Sequence, residues 1–100
     1  MHLVELFLPV EDPTGASLAP RIEELVATLA ERFGGATAFL RAPAEGLWKQ
    51  GGTLERDRIV VVEVMVDALD EAWWHALRTE LEARFEQDEI LIRATRTTRL

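Results

Sequence analysis

The stretch Ile59-Val60-Val61-Val62-Glu63-Val64-Met65-Val66 constrains this chain more than any other. Successive side chains on a strand point to opposite sides of a sheet. Val60, Val62, Val64 and Val66 therefore share one face, and Ile59, Val61, Glu63 and Met65 share the other. A face of valine alone calls for a helical layer above it. The opposite face is apolar with a single carboxylate, and it too calls for a cover: a partner chain, a ligand or a segment of the chain itself.

The surrounding pattern supplies the helices. Leu18, Ile22, Leu25, Val26, Leu29 and Phe33 recur at helical spacing. Ser17 is placed to cap that helix, Pro20 is tolerated in its first turn, and Gly34-Gly35 ends it. A second helix begins after Asp67 or Asp70, with Glu71 favourable in its first turn. Trp73, Leu77, Leu81 and Phe85 are expected to form its buried stripe, with Trp74 flanking it.

Strands fill the rest. His2 to Val10 alternates, with Val4, Leu6 and Leu8 on one face and Leu3, Glu5 and Phe7 on the other; Pro9 and Asp12-Pro13 end it. Ala36 to Arg41 reads as a short second strand. The stretch Ala42 to Gly52 is rich in Pro and Gly, and Leu47-Trp48-Lys49 is placed to pair with Thr53-Leu54-Glu55 around a tight turn at Gln50-Gly51-Gly52. The third strand runs from about Arg58 or earlier to Val66, and Ile90 to Thr95 is the last. The order predicts an α+β fold: a single ferredoxin-like β-α-β-β-α-β sandwich over residues 1–100, two helices on one face of a four-stranded antiparallel sheet, first and third strands central.

Composition excludes several classes of function. A hydrophobic fraction of 48% is too high for a disordered chain. Cysteine is absent, so disulfides, thiol nucleophiles and thiolate metal sites are too. The net charge of −7 and a lone lysine, Lys49, argue against nucleic acid, which needs clustered cations. No apolar run approaches the ~20 residues of a membrane helix, and the first residues lack the basic region of a signal peptide, so the expectation is a soluble cytoplasmic protein. Glu71 and His75 stand four apart, but two ligands without a third make no metal site, and no cofactor is expected.

The face opposite the helices is where function is sought. By parity it holds Leu3, Phe7, Phe39, Val61, Met65 and Leu91, the candidate interface, around two acids and two arginines. Glu5 is expected to pair with Arg93 across the first and fourth strands, and Glu63 with Arg41 across the third and second. An apolar face of this size exceeds what monomers usually expose. One reading is a homodimer or larger assembly packed sheet to sheet. The other is a pocket between that face and the loop 41–58, with Arg41, Trp48, Glu55, Arg56 and Glu63 as ligand-binding candidates. Two arginines there suit a small polar or acidic metabolite. No catalytic residue is identified: serine occurs once, at Ser17, and no phosphate-cradling glycine loop is present.

Four short motifs occur in order: Phe33-Gly34-Gly35-Ala36-Thr37, Gly46-Leu47-Trp48, Glu55-Arg56 and Phe85-Glu86-Gln87-Asp88-Glu89-Ile90. Over about residues 33–93 the chain resembles a family of short bacterial proteins of no established activity with the pattern F-G-G-x-T, G-x-W, E-R and F-x-Q-[DE]-x-[IV]. The resemblance implies a ferredoxin-like domain and no reaction. It marks Trp48, Glu55, Arg56 and Gln87 as members of a shared site or a shared structural clasp.

Overall fold

Alternation in the first strand has a direct structural result. In the computed structural model, β1 (His2–Pro9) buries Val4, Leu6 and Leu8 almost completely and leaves Leu3, Glu5 and Phe7 half-exposed. The structure describes the backbone of residues 1–38, 44–50 and 53–100, and the side chains of 1–36 and 58–100. The remaining elements are α1 (Ala19–Phe33), β2 (Thr37–Ala38), β3 (Ala44–Gln50), β4 (Thr53–Val66), α2 (Glu71–Arg84) and β5 (Leu91–Arg96).

Antiparallel pairing puts β1 between β4 and β5. Its register sets Leu6 opposite Val62 and Ile92, so the even-numbered residues of all three strands share a face. Both helices cover that face. Ile22, Leu25 and Leu29 from α1 and Trp74 and Leu81 from α2 join Val4, Leu6, Leu8, Val60, Val62, Val64 and Val66 in one buried cluster, closed by Phe85 and Ile90. Burying a leucine of this kind stabilises by roughly 1.5–3 kcal/mol relative to exposing it.

The expected second strand is described at Thr37–Ala38, paired with Glu63 and Val62 of β4; Phe39 and Arg41 lie outside the described residues. β3 also pairs with β4, from Ala44 opposite Ile59 to Gln50 opposite Thr53. Ile59 meets Pro9 of β1 on its other side, so β2 and β3 run along the same edge of β4. The stretch between Arg41 and Arg58 is therefore largely a two-stranded ribbon rather than a loop, and β4 begins at Thr53. Ahead of Ile59, the described part of β4 pairs with β3, and on its other side only the Arg58 carbonyl is engaged among the described residues, accepting from the Val10 amide at 3.2 Å.

Helix ends follow local chemistry, with two departures from expectation. Leu18, not Ser17, is the residue that begins α1; the Ser17 hydroxyl instead accepts from the Ala19 amide at 3.2 Å, and Pro20 occupies the first turn. Gly34 ends α1 at φ 81°, its amide donating to the Ala30 carbonyl. Asp70 caps α2 by accepting from the Trp73 amide at 3.2 Å. In α2 the buried tryptophan is Trp74, 5% exposed, while Trp73 is only half-buried, the reverse of the expected stripe. The reason is helical phase. A spacing of four overshoots a full turn by about 40°, so Trp73 has drifted off the face of Leu81 and Phe85, whereas Trp74 is within about 20° of both.

The end of α2 is built by the Phe85–Ile90 motif. Phe85 is fully buried, and Glu86 takes the left-handed conformation at φ 53°. The Glu86 amide donates to the Ala83 carbonyl and that of Gln87 to the Glu82 carbonyl, the two bonds of a Schellman stop. The Gln87 side chain donates to the Phe85 carbonyl at 3.2 Å, and Glu82 accepts from the Ile90 amide at 3.0 Å. In the β1–α1 connection, Asp12 accepts from the Thr14 hydroxyl and from the Thr14 and Ala16 amides. The Thr14 hydroxyl, foremost, holds the Asp12 carboxyl below the usual carboxylate range.

Candidate functional site

The open face of the sheet is made of odd-numbered residues in three cross-strand rows. Leu91, Phe7 and Val61 form one, and Thr95, Leu3 and Met65 another. Between them runs Arg93, Glu5, Glu63 and Thr37, contributed in turn by β5, β1, β4 and β2. Met65 and Leu91 are 41% and 47% exposed, high for large apolar side chains in a sheet of this size. Leu3, Phe7 and Val61 are half-buried.

The charged row has a definite internal arrangement. Arg93 Nε lies 3.0 Å from Glu5 Oε1, so the expected pair between β1 and β5 is formed. The same guanidinium sits 4.9 Å from the centre of the Phe7 ring. Glu5 is the more sheltered partner, its side chain 19% exposed against 57% for Arg93. Glu63 stands directly opposite Glu5, and like charges in that position repel. Its neighbour on the other side is Thr37; Arg41, the expected partner, lies outside the described residues. The row thus sets two carboxylates against one guanidinium, between the apolar row Leu91, Phe7 and Val61 and the mixed row Thr95, Leu3 and Met65.

An open cleft of about 1030 Å³ begins beside Glu63 at the end of the sheet where β4 finishes. Leu3 and Met65, the Phe33–Ala36 segment and Asp67 line it with Glu63, and Arg32 and Arg99 bring positive charge to it. Arg32 is held by an aromatic cluster: its guanidinium lies 4.2 Å from the centre of Trp73, and Phe33 stacks on Trp74 at 5.3 Å. Trp73 meets both rings edge-on, at 5.3 Å from Phe33 and 4.8 Å from Trp74. This cluster ties the end of α1 to the start of α2, and the Phe33-Gly34-Gly35 motif sits at that junction.

Of the other ligand-binding candidates, Trp48 lies on β3 and Glu55 and Arg56 on the first part of β4, while Arg41 is outside the described residues. In the β3–β4 register Trp48 opposes Glu55 and Leu47 opposes Arg56; the side chains of these four residues are outside the described ones. Glu55 precedes Glu63 by eight residues on a continuous strand, about 26 Å along it at ~3.3 Å per residue. Gln87 stands apart from both, in the α2 stop, where its amide serves the backbone. Phe39 of the candidate interface is outside the described residues, while Leu3, Phe7, Val61, Met65 and Leu91 share the open face as expected.

His75 and Glu71 line a small hollow of about 140 Å³ between α2 and β5, with Arg78 beside them. No group of three potential metal ligands occurs among the described residues. His2, at the start of β1, has a buried Nδ1 without a hydrogen-bond partner among the described residues. No helix among the described residues is long and apolar enough to cross a membrane.

No family model and no curated protein matches the chain. Solved structures do. A phage SAM lyase in complex with S-methyl-5'-thioadenosine is 14% identical, with a TM-score of 0.67 over 94% of this chain and 79% of that one. A point mutant of CutA1 from Pyrococcus horikoshii OT3 is 18% identical, with a TM-score of 0.63 over 100% of this chain and 86% of that one. The apo phage SAM lyase is 13% identical, with a TM-score of 0.62 over 94% of this chain and 78% of that one. Likeness at such identities speaks for the fold alone: this is a small α+β chain, two helices against an antiparallel sheet, with a fold of ferredoxin-like type.

Proposed function

We propose that this protein is a small self-associating module, soluble and cytoplasmic, in which a second copy of the chain covers the open sheet face. One observation carries this reading. Leu91, Phe7 and Val61 form one row and Leu3 and Met65 another, with the charged row between them, on a face over which no described element of the chain packs. Exposed apolar rows beside a line of charges mark an association site. The finer architecture belongs to the same proposal: β2 and β3 are two parts of one edge strand, completing the four-stranded β-α-β-β-α-β sandwich. The family resemblance of the four motifs fits it, since Gln87 and the Phe33–Gly35 segment both sit at structural junctions.

Sedimentation at micromolar concentration tests the reading. A dimer or larger species is expected, and a clean monomer of 11.3 kDa refutes it. Val61→Lys strands an ammonium in an apolar interface and should raise the dissociation constant by about a hundredfold or more. The fold should survive, because Val61 faces away from the helices.

A second reading rests on the cleft beside Glu63. Arg32 and Arg99 in its lining suit a small polar or acidic metabolite, and a lyase of similar fold is known in complex with S-methyl-5'-thioadenosine. Trp73, in contact with Arg32, supplies the readout. Binding of such a metabolite should change tryptophan emission and be lost in Arg32→Ala. A metabolite screen without any emission change speaks for the association reading alone.

A further inference from the structure

The charged row across the open face also specifies how two copies meet. From its order we infer that they pack face to face about a two-fold axis running along β1, with Glu63 of each chain against the partner's Arg93. This rests on the self-association reading and adds its register.

The argument is one of charge order. Across the strands the row reads Arg93, Glu5, Glu63, with β1 in the middle. Glu5 already holds Arg93 at 3.0 Å, while Glu63 faces a like charge on one side and Thr37 on the other. Covering this face with apolar surface would strand Glu63, at a cost far above that of a surface charge. Among the described residues Glu63 forms no ion pair, so an occupant that brings a cation to that position relieves this cost, and the chain itself carries one in the same row.

Four simple two-fold placements are available to sheets stacked ~10 Å apart and roughly aligned. An axis between β1 and β5 sets Glu5 over the partner's Arg93 but carries Glu63, Val61 and Met65 past the partner's β5, so that the open face of β4 stays uncovered. An axis along the row sets each residue on its own copy, Arg93 on Arg93 and Glu63 on Glu63. An axis between β1 and β4 sets Glu5 over the partner's Glu63 and leaves Arg93 over Thr37. An axis along β1 sets β4 over the partner's β5, so that Glu63 meets the partner's Arg93 twice, once from each chain. The Glu5 side chains then approach at the axis, between the two guanidiniums. The flanking row fits the same register: Phe7 meets Phe7, and Val61 meets the partner's Leu91, apolar on apolar. A sheet separation of ~10 Å is within the combined reach of a glutamate and an arginine.

Mixing two variants tests the inference without placing both changes in one chain. Glu63→Arg and Arg93→Glu alone each set like charges together at both symmetric positions. Each should raise the dimer dissociation constant by about tenfold or more, given the coupling measured for close interfacial charge pairs. In an equimolar mixture the introduced arginine of one chain meets the introduced glutamate of the other. The unchanged Arg93 of the first chain meets the unchanged Glu63 of the second. A one-to-one heterodimer should form with nearly wild-type affinity. Bulk attraction does not account for such a result, since each change moves the net charge of −7 by two, to −5 and −9, and both chains stay acidic.

Sedimentation of the mixture with one chain fluorescently labelled reads the outcome. Dimeric wild type with either variant alone dimerising as tightly as the wild type, as an axis along the row would give, or with no heterodimer on mixing, overturns the register and leaves the association reading standing. Monomeric wild type overturns both. Should either variant fail to fold by circular dichroism, Glu63→Gln and Arg93→Gln replace them in a double-mutant cycle on the dissociation constant. Coupling between the two sites then supports the register, and strict additivity overturns it.

Discussion

Leu6 and Phe7 are neighbours in the chain and lie on opposite sides of one sheet. Leu6 is wholly buried beneath the helices, and Phe7 is half-buried on a face with no described helix over it. The two faces are made by the same strands and both are largely apolar, but Glu5, Glu63 and Arg93 form a charged row across the middle of the open side. Hydrophobicity therefore does not separate them; the cover does. The closed face is finished within one chain, its Val60, Val62, Val64 and Val66 at most 3% exposed. The open face holds the ingredients of a second interface and lacks the other half.

The largest test of this difference removes equivalent leucines from the two sides. Leu6→Ala leaves a cavity under the helices and should destabilise the folded chain by roughly 2–5 kcal/mol. Leu3→Ala, on the open side, should cost only about 1 kcal/mol, the share expected of a half-buried leucine. The pair is best compared in the Val61→Lys background, where the chain is monomeric and association does not contribute. Chemical denaturation measures both. Equal losses would mean that the open face is closed within the monomer, contrary to the comparison.

A smaller effect tests how the closed face is kept closed. The covering helices stop differently: α1 at a glycine with φ 81°, α2 at Glu86 with φ 53°. Only glycine adopts that region without penalty. Glu86→Gly should therefore stabilise the protein, by about 0.5–1 kcal/mol, because the hydrogen bonds of the stop involve backbone and are retained. Thermal melting checks it. A loss instead would mean that the Glu86 side chain supports the turn.

The closed face was legible in the sequence because it depends on parity, and parity needs only one correct strand. Val60, Val62, Val64 and Val66 assign their own side, and the alternation of β1 agrees. Helical phase was harder to read: Trp73, Leu77, Leu81 and Phe85 look like a stripe because they are evenly spaced, yet even spacing of four drifts around the helix. That is why Trp74 is the buried one. On the open face, parity names the members and not their partners. A slip of two residues keeps every side chain on its face and changes all its neighbours. The Glu5–Arg93 pair could be anticipated from strand order, but the opposition of Glu5 and Glu63 required the register itself. The ribbon of β3 and β4 was visible as a possible pairing around Gln50-Gly51-Gly52. Its length was hidden by Pro43 and by Gly46, Gly51 and Gly52, which read as loop.

The smallest effect concerns the charged row of the open face within a single chain. Arg93 is more than half exposed, so its bond to Glu5 works against water and salt, and such cross-strand pairs contribute about 0.2–1 kcal/mol. In the wild-type chain diluted below its dimer dissociation constant, Glu5→Gln removes the bond and also the repulsion between Glu5 and Glu63. The two effects oppose each other, so the net change in stability should lie within about 0.5 kcal/mol of zero. Glu63→Gln removes only the repulsion and should stabilise slightly. The difference between the two variants isolates the Glu5–Arg93 bond, and it should shrink as salt rises, since exposed charges are screened over ~10 Å at 0.1 M. In the dimer the sign for Glu63 should reverse, because there its carboxylate gains the partner's Arg93. A Glu63→Gln change that stabilises the monomer and weakens the dimer would separate the two uses of one side chain. A change of the same sign in both would show that the open face is covered without engaging its charged row.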